Sequence, residues 1–462
     1  MQFLLGRIDY ERSTTAQSPL REFRLDRMHE LLGRLGNPQQ MYPTIHVAGT
    51  KGKGSCAAMT AATLTAAGYR TGLYTSPHLD RLEERIIIDG QYCSPEALVS
   101  LVHRVGPIVA ALDAVPGIEP DRSSSDHLAP TWFEITTAMA LLHFAAEQVD
   151  IAVVEVGLGG RLDSTNVVHP LVSIITSISF DHMKQLGSTL GAIAREKAGI
   201  IKPGVPVVSG VMNVEAQAAI EEVRFGKDAP IIQLGRDFDY RYQVPRDLDQ
   251  SESAGTIDFL MPTSGGIVRY ADLRLALVGR HQAANAAVSL AAIEQIRACG
   301  WQISESAIRR GLAEVHWPAR VEIVRRRPAV VVDAAHNVAS VASLLQTLDE
   351  SFSTSAPRIL IFATTQDKQV REMLELLLPR FDHVLLTRYT TNPRSVSIDE
   401  LAALASSIFA TPHELCDTPA LAWRRACELA TDDHLICATG SFFLAAELRG
   451  VVRGEGREAR GE

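Results

Sequence analysis

Gly49-Thr50-Lys51-Gly52-Lys53-Gly54-Ser55 follows a short apolar run, Thr44-Ile45-His46-Val47-Ala48, and precedes an Ala/Thr-rich run over 56–67. The first run reads as a buried strand and the second as a helix. A glycine-rich turn between a strand and a helix N-terminus gathers several backbone N–H groups at one spot. The positive end of the helix dipole lies there too, so the spot favours phosphate oxygens. Lys53 is placed to reach the terminal phosphates of a nucleotide, and the Ser55 hydroxyl to ligate Mg2+. The spacing differs from the common G-x-x-x-x-G-K-[ST] loop, because Gly54 separates the lysine from the hydroxyl residue. Taken alone, the stretch also fits a glycine-rich turn with no ligand.

Working outward, buried strands alternate with helices. Strands are expected over 71–75, 86–88, 151–156, 171–176, 205–209 and 231–232, with helices over 95–112, 131–149, 190–201 and 215–224 between them. This alternation indicates a parallel α/β sheet. From 237 to 277 polar loops and alternating runs suggest a small antiparallel patch. Trp317-Pro318-Ala319-Arg320 reads as a junction, since proline disfavours helix continuation. A second βα series follows, with strands over 330–333, 359–363, 383–387 and 435–438. The fold class is therefore α/β, with a P-loop-containing parallel-sheet ATPase domain and a smaller C-terminal Rossmann-like domain. The expected limits are 1–317, 318–450 and a disordered tail over 451–462, with a mobile surface insertion over 113–130.

At 462 residues the chain exceeds one ordinary core, which agrees with more than one domain. A formal net charge of −9 argues against a broad nucleic-acid or anionic-membrane surface. No uncharged apolar run approaches the ~20 residues of a membrane span. The first residues hold Arg7, Asp9, Glu11 and Arg12 and do not read as a signal peptide. Cys56, Cys93, Cys299, Cys416, Cys427 and Cys437 form no C-x-x-C pair. They suit reduced thiols in a cytoplasmic protein.

Three features of the first domain fall where strands end, the usual ligand edge of an open α/β sheet. Besides the phosphate loop, Glu155 is the only charge in an otherwise apolar strand, and a buried carboxylate must be bonded, paired or on a metal. Asp181-His182 follows the 171–176 strand, and Ser76 follows the 71–75 strand. Oxygen and imidazole groups spread over several strand ends suit hydrated Mg2+ against a nucleotide better than a closed zinc site. Lys197 lies in an otherwise apolar helical segment. It reads either as a surface lysine beside Glu196 or as an amine whose pKa is depressed near the metals.

Five motifs carry a resemblance: 46–55, then Tyr74-Thr75-Ser76-Pro77-His78-Leu79, then 155–166, Glu196-Lys197-Ala198-Gly199-Ile200, and Asp333-Ala334-Ala335-His336-Asn337. In this order and spacing the chain resembles folylpolyglutamate synthase/dihydrofolate synthase, a family of the Mur ligase superfamily of ATP-dependent amide-forming ligases. That family's loop also places one glycine between its lysine and its hydroxyl residue. The resemblance implies that Gly49, Thr50, Gly52, Lys53, Gly54 and Ser55 hold the ATP phosphates, with Asn285, Arg320 and Asp333 as further nucleotide contacts. It implies Ser76, Glu155 and His182 as Mg2+ ligands, for two ions. Lys197 matches a lysine carbamylated by CO2 in this family, and His336 is expected as a catalytic residue. Arg24, Leu25, Thr131, Trp132, Phe133, Leu162, Asp163 and Ser164 match segments lining the pterin site. Departures are Ser164 in place of a common alanine and Thr364-Thr365-Gln366-Asp367-Lys368 in place of a Lys-Asp-Lys-Asp run. Lys51 has no assigned role.

The implied reaction passes the γ-phosphoryl group of ATP to a carboxylate of folate or dihydropteroate. The amine of L-glutamate then attacks the acyl phosphate. The substrates are expected to meet between the domains, in a monomer with no nucleic-acid or membrane partner. Two other readings compete. A Mur-type ligase acting on another acid is disfavoured by Ser76-Pro77-His78-Leu79 and Thr131-Trp132-Phe133-Glu134. A non-catalytic nucleotide-binding module is disfavoured by the joint presence of Ser76, Glu155, His182 and Lys197.

Overall fold

The structure, a computed structural model, describes Arg7 and residues 25–114, 129–409 and 412–458. The chain divides into two compact units. The first runs through Arg241 and adds Asp258–Leu273 and Ala284–Val315; the second takes Tyr242–Ile257, Arg274–Ala283 and everything from His316 on. The segments 242–257 and 274–283, which the sequence reading leaves in the first domain, thus cluster with the second.

The first unit is built on an eight-stranded sheet. Its strands are β1 Thr44–Ala48, β2 Thr71–Tyr74, β3 Ile86–Ile88, β4 Gln91–Tyr92, β5 Ile151–Glu155, β6 Pro170–Ile175, β7 Val207–Ser209 and β8 Ile231–Gln233. Their order is β4-β3-β2-β5-β1-β6-β7-β8. The six strands from β2 to β8 are parallel, as expected, while β3 and β4 add an antiparallel edge. The central strands are buried along their whole length, as expected for strands covered on both faces. β1 lies between β5 and β6, with Val47 opposite Glu155 and Ile174. The segments leaving β1, β5 and β6 therefore emerge side by side at one sheet edge, with the segment after β2 beyond β5.

One face of this sheet carries the helices Asp26–Arg34, Pro95–Asp113 and Trp132–Ala146, whose apolar sides meet in one core with Tyr74, Ile86 and Val154. Pro95–Asp113 is long and apolar enough by composition to cross a membrane, but it carries Glu96 and Arg104 and buries Leu98, Leu101, Val105, Val109 and Leu112 in that core. Another core joins Ile175 and Val207 to Ala194, Ala198, Ala216 and Ile220. The helix that follows the phosphate loop, Lys53–Ala66, is buried almost all round, so its small side chains suit close approach.

Three antiparallel strands follow, β9 Asp239–Gln243, β10 Gly255–Thr263 and β11 Gly266–Leu275, in the order β11-β10-β9. In the second unit β12 Glu322–Arg326, β13 Ala329–Val332, β14 Arg358–Phe362, β15 His383–Leu386, β16 His413–Leu415 and β17 Leu435–Thr439 form a sheet ordered β12-β13-β17-β14-β15-β16. Five of these strands are parallel, as in a Rossmann-like layer; β12 joins antiparallel to β13. Sequence reading missed β12 and β16, two short edge strands with no buried residue to betray them. Most of the expected 113–130 insertion lies outside the described residues. The final helix runs to Glu458, so most of the expected tail is helical.

Gly311, on the helix Glu305–Glu314, packs against Lys53–Ala66 so closely that an added Cβ would stand 2.5 Å from the Thr63 Cα. Backbone cannot retreat as a flexible side chain can. Gly311→Ala is expected to cost about 1–3 kcal/mol, the usual range for an overfilled core. Thermal unfolding checks this, and an unchanged melting temperature would refute the close contact.

Candidate active site

The phosphate loop takes its shape from backbone constraints. Gly52 is the helix N-cap at φ 80°, and an added Cβ would lie 2.1 Å from Asn285 Oδ1. Gly49 at φ 151° passes so close to Thr176 that a Cβ would meet its Oγ1 at 2.0 Å. Both glycines are required by conformation and by contact. Asn285 is thereby placed against the loop, and Ser55 is buried in the first turn of the helix.

The segment after β6 laces this loop down. Thr50 N–H donates to the Ser177 carbonyl at 2.7 Å, and Lys51 N–H to Ser177 Oγ at 3.0 Å. The hydroxyls of Thr176 and Ser177 donate to the Lys51 carbonyl at 2.5 and 3.1 Å. Thr50 Oγ1 donates to the Ser179 carbonyl at 3.2 Å and accepts the Ser179 N–H at 3.1 Å. Lys51 gains a role that sequence reading could not give it: its Nζ pairs with Asp181 Oδ2 at 3.2 Å. Asp181 is thus a partner of the loop, and its other oxygen accepts the His182 N–H at 3.0 Å. The hydroxyl residues Thr176 and Ser177 were also missed, since single hydroxyls after a strand carry no distinctive pattern.

Lys197 is buried near the C-terminal end of the helix Leu190–Ala198 and donates to the Gly49 carbonyl at 2.9 Å. It is not the surface lysine of the bland reading. Burial, then Lys53, lowers its pKa to about 7; Asp181 and Asp163 pull it back up, and Lys51 lowers it further. Three lysines thus lie within one another's field around a single loop. Lys51 is paired with Asp181 and Lys197 is bonded to Gly49, whereas Lys53 makes no hydrogen bond or ion pair among the described residues. A polyanion fits that arrangement.

Glu155 is buried at the end of β5, and its Oε2 accepts the Ser76 N–H at 3.2 Å, which brings those two predicted metal ligands together. His182 stands at φ 48°, with its side chain 43% exposed. Among the described residues no group of three or more His, Cys, Asp and Glu side chains forms a metal cage. Ser55, Ser76, Glu155 and His182 instead fit Mg2+ coordinated largely by phosphate oxygens and water, which needs only one or two carboxylates from the protein.

The predicted pterin segments lie in the same unit. Thr131 caps the helix Trp132–Ala146: its hydroxyl accepts the Glu134 N–H, and Glu134 accepts the Thr131 N–H in return. The Trp132 ring lies under the Arg85 guanidinium at 4.6 Å, and Arg85 Nε donates to His78 Nδ1 at 2.8 Å. Arg85 is an addition that only the fold reveals, and it gives His78 of the 74–79 motif its partner. Phe133 packs beside Tyr74 and fills the space a side chain at Gly157 would need. Leu162 and Ser164 are half-buried, as is Leu25, which heads the helix Asp26–Arg34; Arg24 lies outside the described residues. Asp163, in the same segment, is buried. Its carboxylate is turned inward, accepting N–H groups from Leu158 and Thr165 at 2.8 and 3.0 Å and the Thr165 hydroxyl at 2.5 Å.

Arg320, Asp333 and His336 form a cluster of their own in the second unit. Asp333 is likewise a backbone clamp, accepting the N–H groups of Val321 and Ala335 at 2.8 Å each. Burial raises its pKa and Arg320 lowers it. The clamp holds Val321 at φ 48°, an unfavourable conformation for a β-branched residue. The Arg320 guanidinium lies 4.7 Å over the Phe442 ring, and the His336 ring tilts against the same Phe442 at 5.5 Å. His336 Nδ1 donates to the Ala334 carbonyl at 2.9 Å.

The chain matches the Mur ligase middle domain over residues 117–293 and the Mur ligase glutamate ligase domain over 319–442. It is 39% identical to a dihydrofolate synthase/folylpolyglutamate synthase of Bacillus subtilis over 76% of this chain and 78% of the relative. It is 36% identical to a folylpolyglutamate synthase of Lacticaseibacillus casei, covering 93% and 94% of the two chains. The structure superposes on that of Mycobacterium tuberculosis folylpolyglutamate synthase complexed with ADP with a TM-score of 0.84 at 34% identity, over 98% and 97% of the chains.

Two outcomes test the site. Gly52→Ala is expected to weaken nucleotide binding by about ten-fold or more, because the new methyl group displaces Asn285 and strains a left-handed residue. Calorimetric titration with ADP checks this, and undiminished affinity would refute the described loop. The second outcome concerns Lys197, whose pKa is about 7 in the folded chain against 10.5 unfolded. Below pH ~7 both states hold the proton; between pH ~7 and ~10.5 only the unfolded chain does, so stability rises with pH across that window. In CO2-free buffer the wild type should therefore gain melting temperature relative to Lys197→Met from pH 7 to 9. A constant gap would refute the lowered pKa.

Proposed function

The chain belongs to the folylpolyglutamate synthase/dihydrofolate synthase family of Mur ligases, and from that premise we propose that it uses ATP to join the amine of L-glutamate to a carboxylate of folate or dihydropteroate. ADP and phosphate are released. One observation carries this reading: Lys51, Lys53 and the buried Lys197 surround a glycine loop at a helix N-terminus, in the unit that also holds Trp132 and Phe133.

The physical problem of the reaction is charge, because an anionic carboxylate must approach a polyanionic nucleotide. The amides of the loop and Lys53 offset the phosphate charge, and they are fixed in place before substrate arrives. Mg2+, held through Ser55, Ser76, Glu155 and His182, would supply further neutralisation at the phosphate oxygens. The carboxylate oxygen bonds to the γ-phosphorus as the bond to ADP breaks. The glutamate nitrogen then bonds to the acyl carbon, the C–O bond to phosphate breaks, and the amine gives up its proton.

Lys197 is read as the site of a carbamate. With a pKa near 7, a large share of its amine is uncharged at neutral pH. An uncharged amine adds to CO2, losing a proton and leaving an anion. Lys53 and Lys51, which disfavour a cation at this position, favour that anion. The chain is read as a cytoplasmic enzyme, which its six free cysteines suit.

Phosphate release from ATP is expected to require both a pteroate or folate and L-glutamate. Release with neither, or none under any combination, would overturn the ligase reading. Lys197→Ala should lose most turnover and recover part of it with added short carboxylates; full activity in that variant would refute the carbamate.

A further inference from the structure

His46 belongs to the motif that leads into the phosphate loop, yet nothing in the reaction described above uses it. It sits in β1, fully buried, with its backbone held between Val154 of β5 and Ser173 of β6. Its Nε2 lies 2.9 Å from Thr165 Oγ1, and both groups are buried. The Thr165 hydroxyl has one proton, which it donates to Asp163 Oδ1 at 2.5 Å. It must therefore accept from His46, so the imidazole carries its proton on Nε2. Nδ1 is then a bare nitrogen, and it makes no hydrogen bond. Burial, with Lys202 adding to it, lowers the imidazole pKa to about 3, so the ring stays neutral at ordinary pH.

The chain of bonds ends in a loop. Asp163 also accepts the N–H groups of Leu158 and Thr165, so one carboxylate closes the 157–163 loop on itself. From the other side, Arg161 N–H donates to the Glu196 carbonyl at 2.8 Å, and an added Cβ at Gly160 would stand 2.8 Å from the carbonyls of Glu196 and Lys197. The loop is thus clamped between the sheet interior and the helix that carries Lys197. Gly157, which borders Phe133, and Leu162 lie within this loop, and Ser164 follows it directly.

We propose that His46, Thr165 and Asp163 form a buried positioning relay that holds the 157–163 loop in register with the phosphate loop and so sets affinity for the acid substrate. Its meaning for affinity rests on the ligase reading given above. The relay acts unequally on the two substrates. The β1 backbone is fixed by ladders on both sides, so losing the side-chain bond leaves the phosphate loop where the sheet puts it. The 157–163 loop has no such ladder; this carboxylate holds its two ends, while Asn166 Nδ2, on the Arg161 carbonyl at 2.9 Å, holds its tip.

Thr165→Val keeps the shape of the side chain and removes the hydroxyl; Thr165→Ser keeps the hydroxyl. In Thr165→Val, amide hydrogen exchange at Leu158 should quicken by about ten-fold, the scale set by one buried hydrogen bond. The KM for the pteroate or folate should rise by a similar factor while the KM for ATP stays put. Thr165→Ser should restore both values. A general loss of structure would shift both KM values and the melting temperature together. Unchanged exchange at Leu158, or quickened exchange with an unchanged KM for the acid, would overturn the relay. If the unaltered chain forms no amide, the ligase reading falls, and exchange at Leu158 alone decides whether the clamp exists.

Discussion

The buried amine of Lys197 is the constraint around which the first unit is arranged. Taking a lysine out of water disfavours its charged form, and two further lysines nearby disfavour it again. The bond to the Gly49 carbonyl returns only part of that cost. A fold that keeps three lysines around one glycine loop is locally frustrated until negative charge arrives. That is the sense in which the site is preorganised: the lysines repel one another, and phosphate oxygens would relieve that repulsion. The same field favours an anion on Lys197 itself, so one electrostatic arrangement accounts for both nucleotide binding and the proposed carbamate.

Sheet order makes this possible. Placing β1 between β5 and β6 brings the phosphate loop beside Glu155 on one side and beside 176–182 on the other. No residue in these segments needs a long reach. Lys51, at the tip of the loop, shows what the neighbouring segment gains: through Asp181 it ties the turn that carries His182 to the loop itself. The predicted metal ligand and the predicted phosphate ligands then move as one body.

Much of this was legible in the sequence, and the parts that were not share a cause. Strands such as Ile151-Ala152-Val153-Val154 announce themselves because burial on both faces demands an unbroken apolar run. Gly49 and Gly52 announce themselves because no other residue fits there. The lysine at 197 was visible as an oddity, but its burial was not, since one helix period cannot tell an inward lysine from a snorkelling one. Arg85 over Trp132, Lys51 with Asp181 and His46 with Thr165 join residues 47, 130 and 119 positions apart. Pairings at that separation leave no trace in local pattern.

Asp163 and Asp333 carry the sharper lesson. Each sits in a motif whose resemblance implies a ligand contact, and each has both carboxylate oxygens accepting backbone N–H groups, from Leu158 and Thr165 for Asp163 and from Ala335 and the more distant Val321 for Asp333. A carboxylate that accepts two or three such donors is satisfied where it lies, and turning it toward a ligand would strand those donors. Both residues therefore set the shape of the loops that carry them. Motif matching weighs both kinds of requirement alike, because substitution is damaging in either case. The hydrogen bonds show the structural requirement directly: each carboxylate fixes the backbone on which its neighbours stand, Leu162 and Ser164 beside one, Arg320 and His336 beside the other.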